Sequence, residues 1–96
     1  MNIIGIKLIN GDEVIGRVTA VNSGSLAVDD LAVDTPRIIG LQETQQGMGL
    51  GFMPWTLGNP DATVVITRKD IACTYTPKAE IEKAYLSQTS KIQLMG

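Results

Sequence analysis

The sequence predicts a small, mainly β protein, a strongly bent antiparallel sheet that carries one C-terminal helix. Three observations predict it. β-Branched residues cluster in short runs, among them Ile3–Leu8, Val14–Val21 and Thr63–Ile66, and such runs suit a pleated, half-buried surface. Turn residues separate the runs, first of all Asn10-Gly11, which favours an antiparallel hairpin. A helix start is found only near the end, where Thr76-Pro77 precedes Glu80 and Glu82, an N-cap and first-turn pattern that complements the helix dipole.

A chain of 96 residues supports one core, so a single domain over 1–96 is expected, with strands in 1–76 and the helix over 77–94. At 44 % hydrophobic and 19 % charged it is too apolar for a disordered tail. No stretch approaches the roughly 18 apolar residues of a membrane span, and Met1-Asn2-Ile3 lacks the basic start of a signal peptide. No membrane association and a cytoplasmic location are therefore expected. The formal net charge is −2, so binding of a nucleic acid requires positive charge gathered locally.

The strands follow in order. In the second run Val14, Gly16, Val18 and Ala20 share one face. That face is free of charge and should look into the core, whereas the opposite one carries Arg17. Gly16 inside the run suggests a sharp bend or a close backbone approach. After the turn Asn22-Ser23-Gly24, Ser25–Val28 reads as a third strand that continues, interrupted by Asp29-Asp30, through Leu31–Val33. Pro36 punctuates it, and Arg37–Leu41 is either a further strand or the continuation of a bent one. From Gly47 to Phe52 glycine alternates with Met48, Leu50 and Phe52. An extended segment of this kind has one apolar face and one bare face open to close approach, which suits a core or an interface. Thr63–Ile66 and Ile71–Tyr75 close the β region around the tight turn Arg68-Lys69-Asp70, giving five or six strands in all. In the helix, Ile81, Tyr85 and Ile92 fall on one side, ready to lie across the sheet.

Catalysis has little support. Histidine is absent and there is one cysteine, which removes the commonest base and metal ligand. Asp29 and Asp30, adjacent in a strand, would point to opposite faces. Cys73, alternating with Ile71 and Tyr75, reads as a small buried hydrophobe. The glycines of 47–51 match no phosphate-binding fingerprint. We expect no enzyme, no catalytic residues, no metal site and no cofactor.

The segment Ile6-Lys7-Leu8-Ile9-Asn10-Gly11-Asp12-Glu13-Val14-Ile15-Gly16-Arg17-Val18 resembles the first half of the Sm/LSm signature in its order of strand, Asn-Gly turn and strand glycine. Ile66-Thr67-Arg68-Lys69-Asp70-Ile71 occupies the place of that family's second motif, with Thr67 where the family has arginine and Arg68 where it has glycine. Asn22-Ser23-Gly24-Ser25-Leu26 stands at its first RNA loop, shortened by one residue. The resemblance covers Ile3–Val28 and Val64–Tyr75, and the whole pattern is similar to small Sm-like proteins of marine phages, cyanophages above all. It implies a five-stranded SH3-like barrel and a ring-forming RNA-binding protein, with RNA contacts at Asn22, Ser25, Thr67, Arg68 and Lys69. A role in RNA processing or translational control, and the host cytoplasm as location, go with it.

A ring has a rationale in the residues as well. A small open sheet leaves two strand edges seeking partners, and pairing around a cycle satisfies both. The expected partners are thus other copies of the chain, five to seven in a ring, together with single-stranded RNA. The interface would draw on Met48, Leu50, Phe52, Val64, Ile66, Ile71, Cys73 and Tyr75. Around a ring axis Arg68 and Lys69 would form a cationic belt. Two blander readings stand beside this one: Arg68-Lys69-Asp70 as a solvated hairpin tip, and Asn22-Ser23-Gly24 as an ordinary turn. The alternative function is a structural or adaptor oligomer that binds protein partners and no nucleic acid.

Overall fold

The computed structural model describes residues 2–21 and 30–89. Six strands form one antiparallel sheet: β1 (Asn2–Leu8), β2 (Glu13–Val21), β3 (Leu31–Thr44), β4 (Gly47–Pro54), β5 (Thr63–Ile66) and β6 (Ile71–Tyr75), followed by helix α1 (Ala79–Thr89). The order across the sheet is β4-β3-β2-β1-β6, with β5 also on β3. The first hairpin forms as the sequence leads one to expect: Lys7 pairs with Glu13, and Gly11 takes a φ of 100°, a conformation that glycine adopts without a Cβ penalty. Asn10 supports the turn by accepting the Asp12 amide at 2.9 Å on its Oδ1.

Strand β3 organises the rest. It pairs with β2 along one side; on the other it meets β5 over Leu31–Asp34 and then β4 over Arg37–Thr44. The change of partner falls at Thr35-Pro36. Ile15 pairs with Arg37 but Arg17 with Asp34, so one extra residue of β3 is accommodated opposite Gly16, a β-bulge. Thr35 has a φ of 55°, strained for a β-branched residue. Pro36, lacking an amide hydrogen, sits where neither ladder asks for one. Gly16 is required here: a Cβ would collide with the Val33 side chain and lie 3.3 Å from the Asp34 carbonyl oxygen. Arg37 holds the 55–62 connection alongside, donating to the Pro60 carbonyl at 2.7 Å and pairing with Asp61 at 3.7 Å.

The core lies on one face of the sheet, where Ile6, Leu8, Val14, Val33 and Ile66 are buried, flanked by Ile4, Val18, Leu31, Ile38, Trp55, Val64 and Ile71. The uncharged face of β2 does point inward, as its alternation requires. On the other face Ile15 is fully buried and Arg17 reaches α1, donating to Thr89 Oγ1 at 2.9 Å, its guanidinium 5.4 Å from the centre of the Tyr85 ring. Tyr85, fully buried, donates its hydroxyl to the carbonyls of Thr35 at 2.7 Å and Asp34 at 3.2 Å. One helix side chain thereby closes over the strained bulge.

Three expectations need correction. The sheet has six strands, within the five or six read from the residues but one more than the resemblance implies, because β4 forms a hairpin arm with the second half of β3, which Arg37–Leu41 continues. The sheet is not closed into a barrel by hydrogen bonds: among the described residues no ladder joins β5 to β6, although only the turn Arg68–Asp70 separates them. The helix begins at Ala79, not at Pro77. The Lys78 carbonyl accepts its first bonds, from Ile81 at 2.9 Å and Glu82 at 3.0 Å, while Pro77 is buried ahead of the first turn. The expected strand Ser25–Val28, and residues 90–94 of the expected helix, lie outside the described residues.

Replacing Gly16 by Ala is expected to destabilise the protein by about 1–3 kcal/mol through overpacking against Val33. A urea unfolding curve shifted to a lower midpoint checks it.

Candidate nucleic-acid interface

The short turn between β5 and β6 is where the sequence placed its basic site. Thr67, Arg68, Lys69 and Asp70 are all exposed. Arg68–Asp70 makes one turn of 3-10 helix, closed by the Asp70 amide donating to the Thr67 carbonyl at 3.0 Å. The Thr67 hydroxyl donates to Asp70 Oδ2 at 2.9 Å. That bond holds the acid on the turn's own threonine.

Two other connections are tied to this turn. Buried Asp30 accepts the Arg68 amide on Oδ1 at 2.8 Å, and the Ile9 amide donates to the Asp70 carbonyl at 3.0 Å. Val21 pairs with Leu31, and Leu31 with Ile66, so Val21 and Asp30 both lie at the end of the sheet that carries the turn. Asn22 and Ser25 themselves lie outside the described residues. Asp30 lies outside β3, whereas the strand expected before it, Ser25–Val28, lies outside the described residues. The Asp30 carboxylate caps the 3-10 turn, a favourable place for an anion.

Next to the turn a cleft of about 440 Å³ is lined by Leu8, Ile9, Asn10, Trp55, Val65, Ile66, Thr67 and Asp70. Ile9 and Val65 are exposed in it and Trp55 is half-buried. The cleft thus brings Trp55 together with the Thr67 hydroxyl, the Asn10 amide and the Asp70 carboxylate, whereas Arg68 lines a separate hollow with Leu31, Ile71, Ala72, Cys73 and Thr74. Among the described residues no cluster of Cys, Asp or Glu could hold a metal ion, and no helix is long and apolar enough to cross a membrane.

The expected interface residues divide. Met48 and Leu50 are exposed on the arm, while Phe52, half-buried, meets Tyr85 edge-on with ring centres 6.5 Å apart. Ile66 is buried, and Val64 and Ile71 pack against the same core, so these three offer a partner little side-chain surface, and on β5 it is Val65 that is exposed. Cys73 is exposed, contrary to the buried position its alternation with Ile71 suggested. The reason is a register shift between Lys7 and Leu8: Leu8 pairs with Ile71 but Lys7 with Cys73, which turns Cys73 and Tyr75 to the outer face. There the Tyr75 ring covers Gly5 and its hydroxyl donates to Glu13. Burial, reinforced by the Glu13 carboxylate, pushes the Tyr75 pKa well above its ordinary 10.0.

Asp30 matters to this region, yet the sequence does not mark it as a site residue. Asp30 meets its partner 38 residues along the chain, and no local pattern signals such a contact. No family model and no curated protein matches the sequence.

Asp30→Ala should leave the Arg68 amide without its acceptor and cost about 1–3 kcal/mol, read as a lowered unfolding midpoint. The tyrosines set an alkaline limit. Burial raises the Tyr85 pKa above 10.0, with Arg17 partly opposing it. In the folded state both tyrosines hold their protons more tightly than in the unfolded chain, so this stabilisation is fully present below about pH 10 and is lost as the pH rises through the folded values. The melting temperature should fall above about pH 10, and less steeply in Tyr85→Phe.

Proposed function

We propose that the protein is a ring-forming, Sm-like RNA-binding protein that uses the turn Thr67–Lys69, together with Asn22 and Ser25, to hold single-stranded RNA. The observation that carries this reading is the hydrogen bond from the Arg68 amide to Asp30, which ties the start of β3 to the basic turn. Asp30, which directly follows the segment 22–29 in which the resemblance places the first RNA loop, is thereby held at the basic turn, and this supports the reading. The order β5-β3-β2-β1-β6, with a 3-10 turn between its two ends, supports reading the sheet as an open form of a strongly bent five-stranded barrel to which β4 is added. Among the described residues β5 and β6 each pair on one side only, and an unpaired outer edge is what a neighbouring copy would use.

In a ring of five to seven copies, Arg68 and Lys69 would recur around the axis and give a cationic belt on a protein of net charge −2. RNA would lie against that belt, its phosphates near Arg68 and Lys69 and a base against Trp55. The role proposed is in RNA processing or translational control of a phage or its host, in the host cytoplasm. A second reading, an adaptor oligomer that binds protein and no nucleic acid, is favoured by one observation: Leu41, Met48, Leu50 and Met53 of the arm are exposed.

Titration against short U-rich and A-rich single-stranded RNA at two salt concentrations separates the readings. Binding should saturate and weaken by about 0.7 log units per log unit of salt for each phosphate neutralised. Arg68→Ala/Lys69→Ala should abolish it. An absence of binding at low salt, where electrostatic attraction is strongest, would reject the RNA reading and leave the adaptor.

A further inference from the structure

The arm formed by β4 and the second half of β3 has an edge and a face without a partner among the described residues. Register fixes the face: Ile39 lies opposite Phe52, Leu41 opposite Leu50 and Glu43 opposite Met48, and residues directly opposite in an antiparallel pair point the same way. Leu41 is 75 % exposed, Met48 65 % and Leu50 48 %. The other face carries Gly40 opposite Gly51, Gln42 opposite Gly49 and Thr44 opposite Gly47. Around Gly40 and Gly47 there is open space.

Edge strands in stable monomers are shielded by charge, by proline within the strand or by bulges. Strand β4 has none of these. Between Ile38 and Pro60 the only charged residue is Glu43, and proline enters only at the last position of β4, Pro54. Unpaired amides and carbonyls along β4 call for a strand. That strand must be uncharged, bulky on one face and nearly bare on the other. β4 itself has that pattern. Laid antiparallel on a second β4 about Leu50, it sets Met48 opposite Phe52 and Gly49 opposite Gly51 and brings no charges together. Such a contact is isologous, so it closes at two copies, whereas head-to-tail pairing of this edge would grow a fibre.

We propose that β4 is a two-fold docking edge for a second copy of this chain, forming a continuous arm-to-arm sheet centred on Leu50. The contact is separate from the ring reading, which would use β5 and β6. In a ring-forming protein, it would join rings in pairs.

The test is the mass in solution, by light scattering across the micromolar range, of the full chain, Leu50→Lys, Met48→Lys and the control Leu57→Lys in the exposed 55–62 connection. The expected result is that Leu50→Lys and Met48→Lys each halve the mass seen for the full chain and for Leu57→Lys, while their thermal unfolding stays cooperative. In a Cys73→Ser background, Leu50→Cys should crosslink to itself between copies under mild oxidation. A mass unchanged by both lysine variants, together with no crosslink in the Leu50→Cys variant, would overturn the docking edge. It would leave the ring reading untouched, because substitution of β4 does not alter β5 or β6.

Discussion

A one-residue excess in β3 at Thr35-Pro36, opposite Gly16, is the constraint on which the architecture turns. β3 serves β2 on one side and both β5 and β4 on the other, and it can do so only by changing direction between Asp34 and Arg37. The change needs three things at once: a glycine on β2 so that the backbones approach, a residue in the left-handed region at Thr35, and an acceptor-only residue at Pro36. Strain of this kind persists only where its surroundings over-determine it. Here Tyr85 supplies the determination, by donating to two consecutive carbonyls of the bulge. Arg17 and Thr89 hold Tyr85 in turn. The helix is thus tied to the sheet at the point where the sheet is weakest.

The same bend creates the candidate site. Because β3 turns, β5 can lie on its first half while β6 lies on β1, and the four-residue stretch Thr67–Asp70 spans the gap. A turn so short must be held from several sides to keep one conformation. Asp30, Ile9 and the Thr67–Asp70 pair do this. Arg68, Lys69 and Asp70 are all exposed at the tip, with Asp70 held by the Thr67 hydroxyl. The arm is the complement of this arrangement. It continues β3 past the core, so among the described residues its apolar face is left uncovered at Leu41, Met48 and Leu50.

Much of the fold was legible from local patterns. Asn10-Gly11 marked the first hairpin, the alternation of Val14, Gly16 and Val18 marked the core face of β2, and Gly16 announced a close approach. Ile81 and Tyr85 fell on one side of the helix, and Tyr85 is buried. What misled was parity. Cys73 and Tyr75 share a period of two with Ile71, yet a register shift beside Lys7 places them on the outer face. A bulge has no composition of its own, so counting residues along β6 cannot reveal it.

By itself the sequence determined strand against helix, the first hairpin and the position of the basic turn, because these depend on neighbours within a few residues: φ freedom, β-branching and the alternation of apolar groups. Only the tertiary structure decided which strands share an edge, that Asp30 grips the turn carrying Arg68, that Tyr85 closes the bulge, and that β4 stands out as an arm. Each of these joins groups far apart in the chain. Such contacts are set by how the bent sheet brings distant backbone polar groups to one place, where each must find a partner or be left unsatisfied.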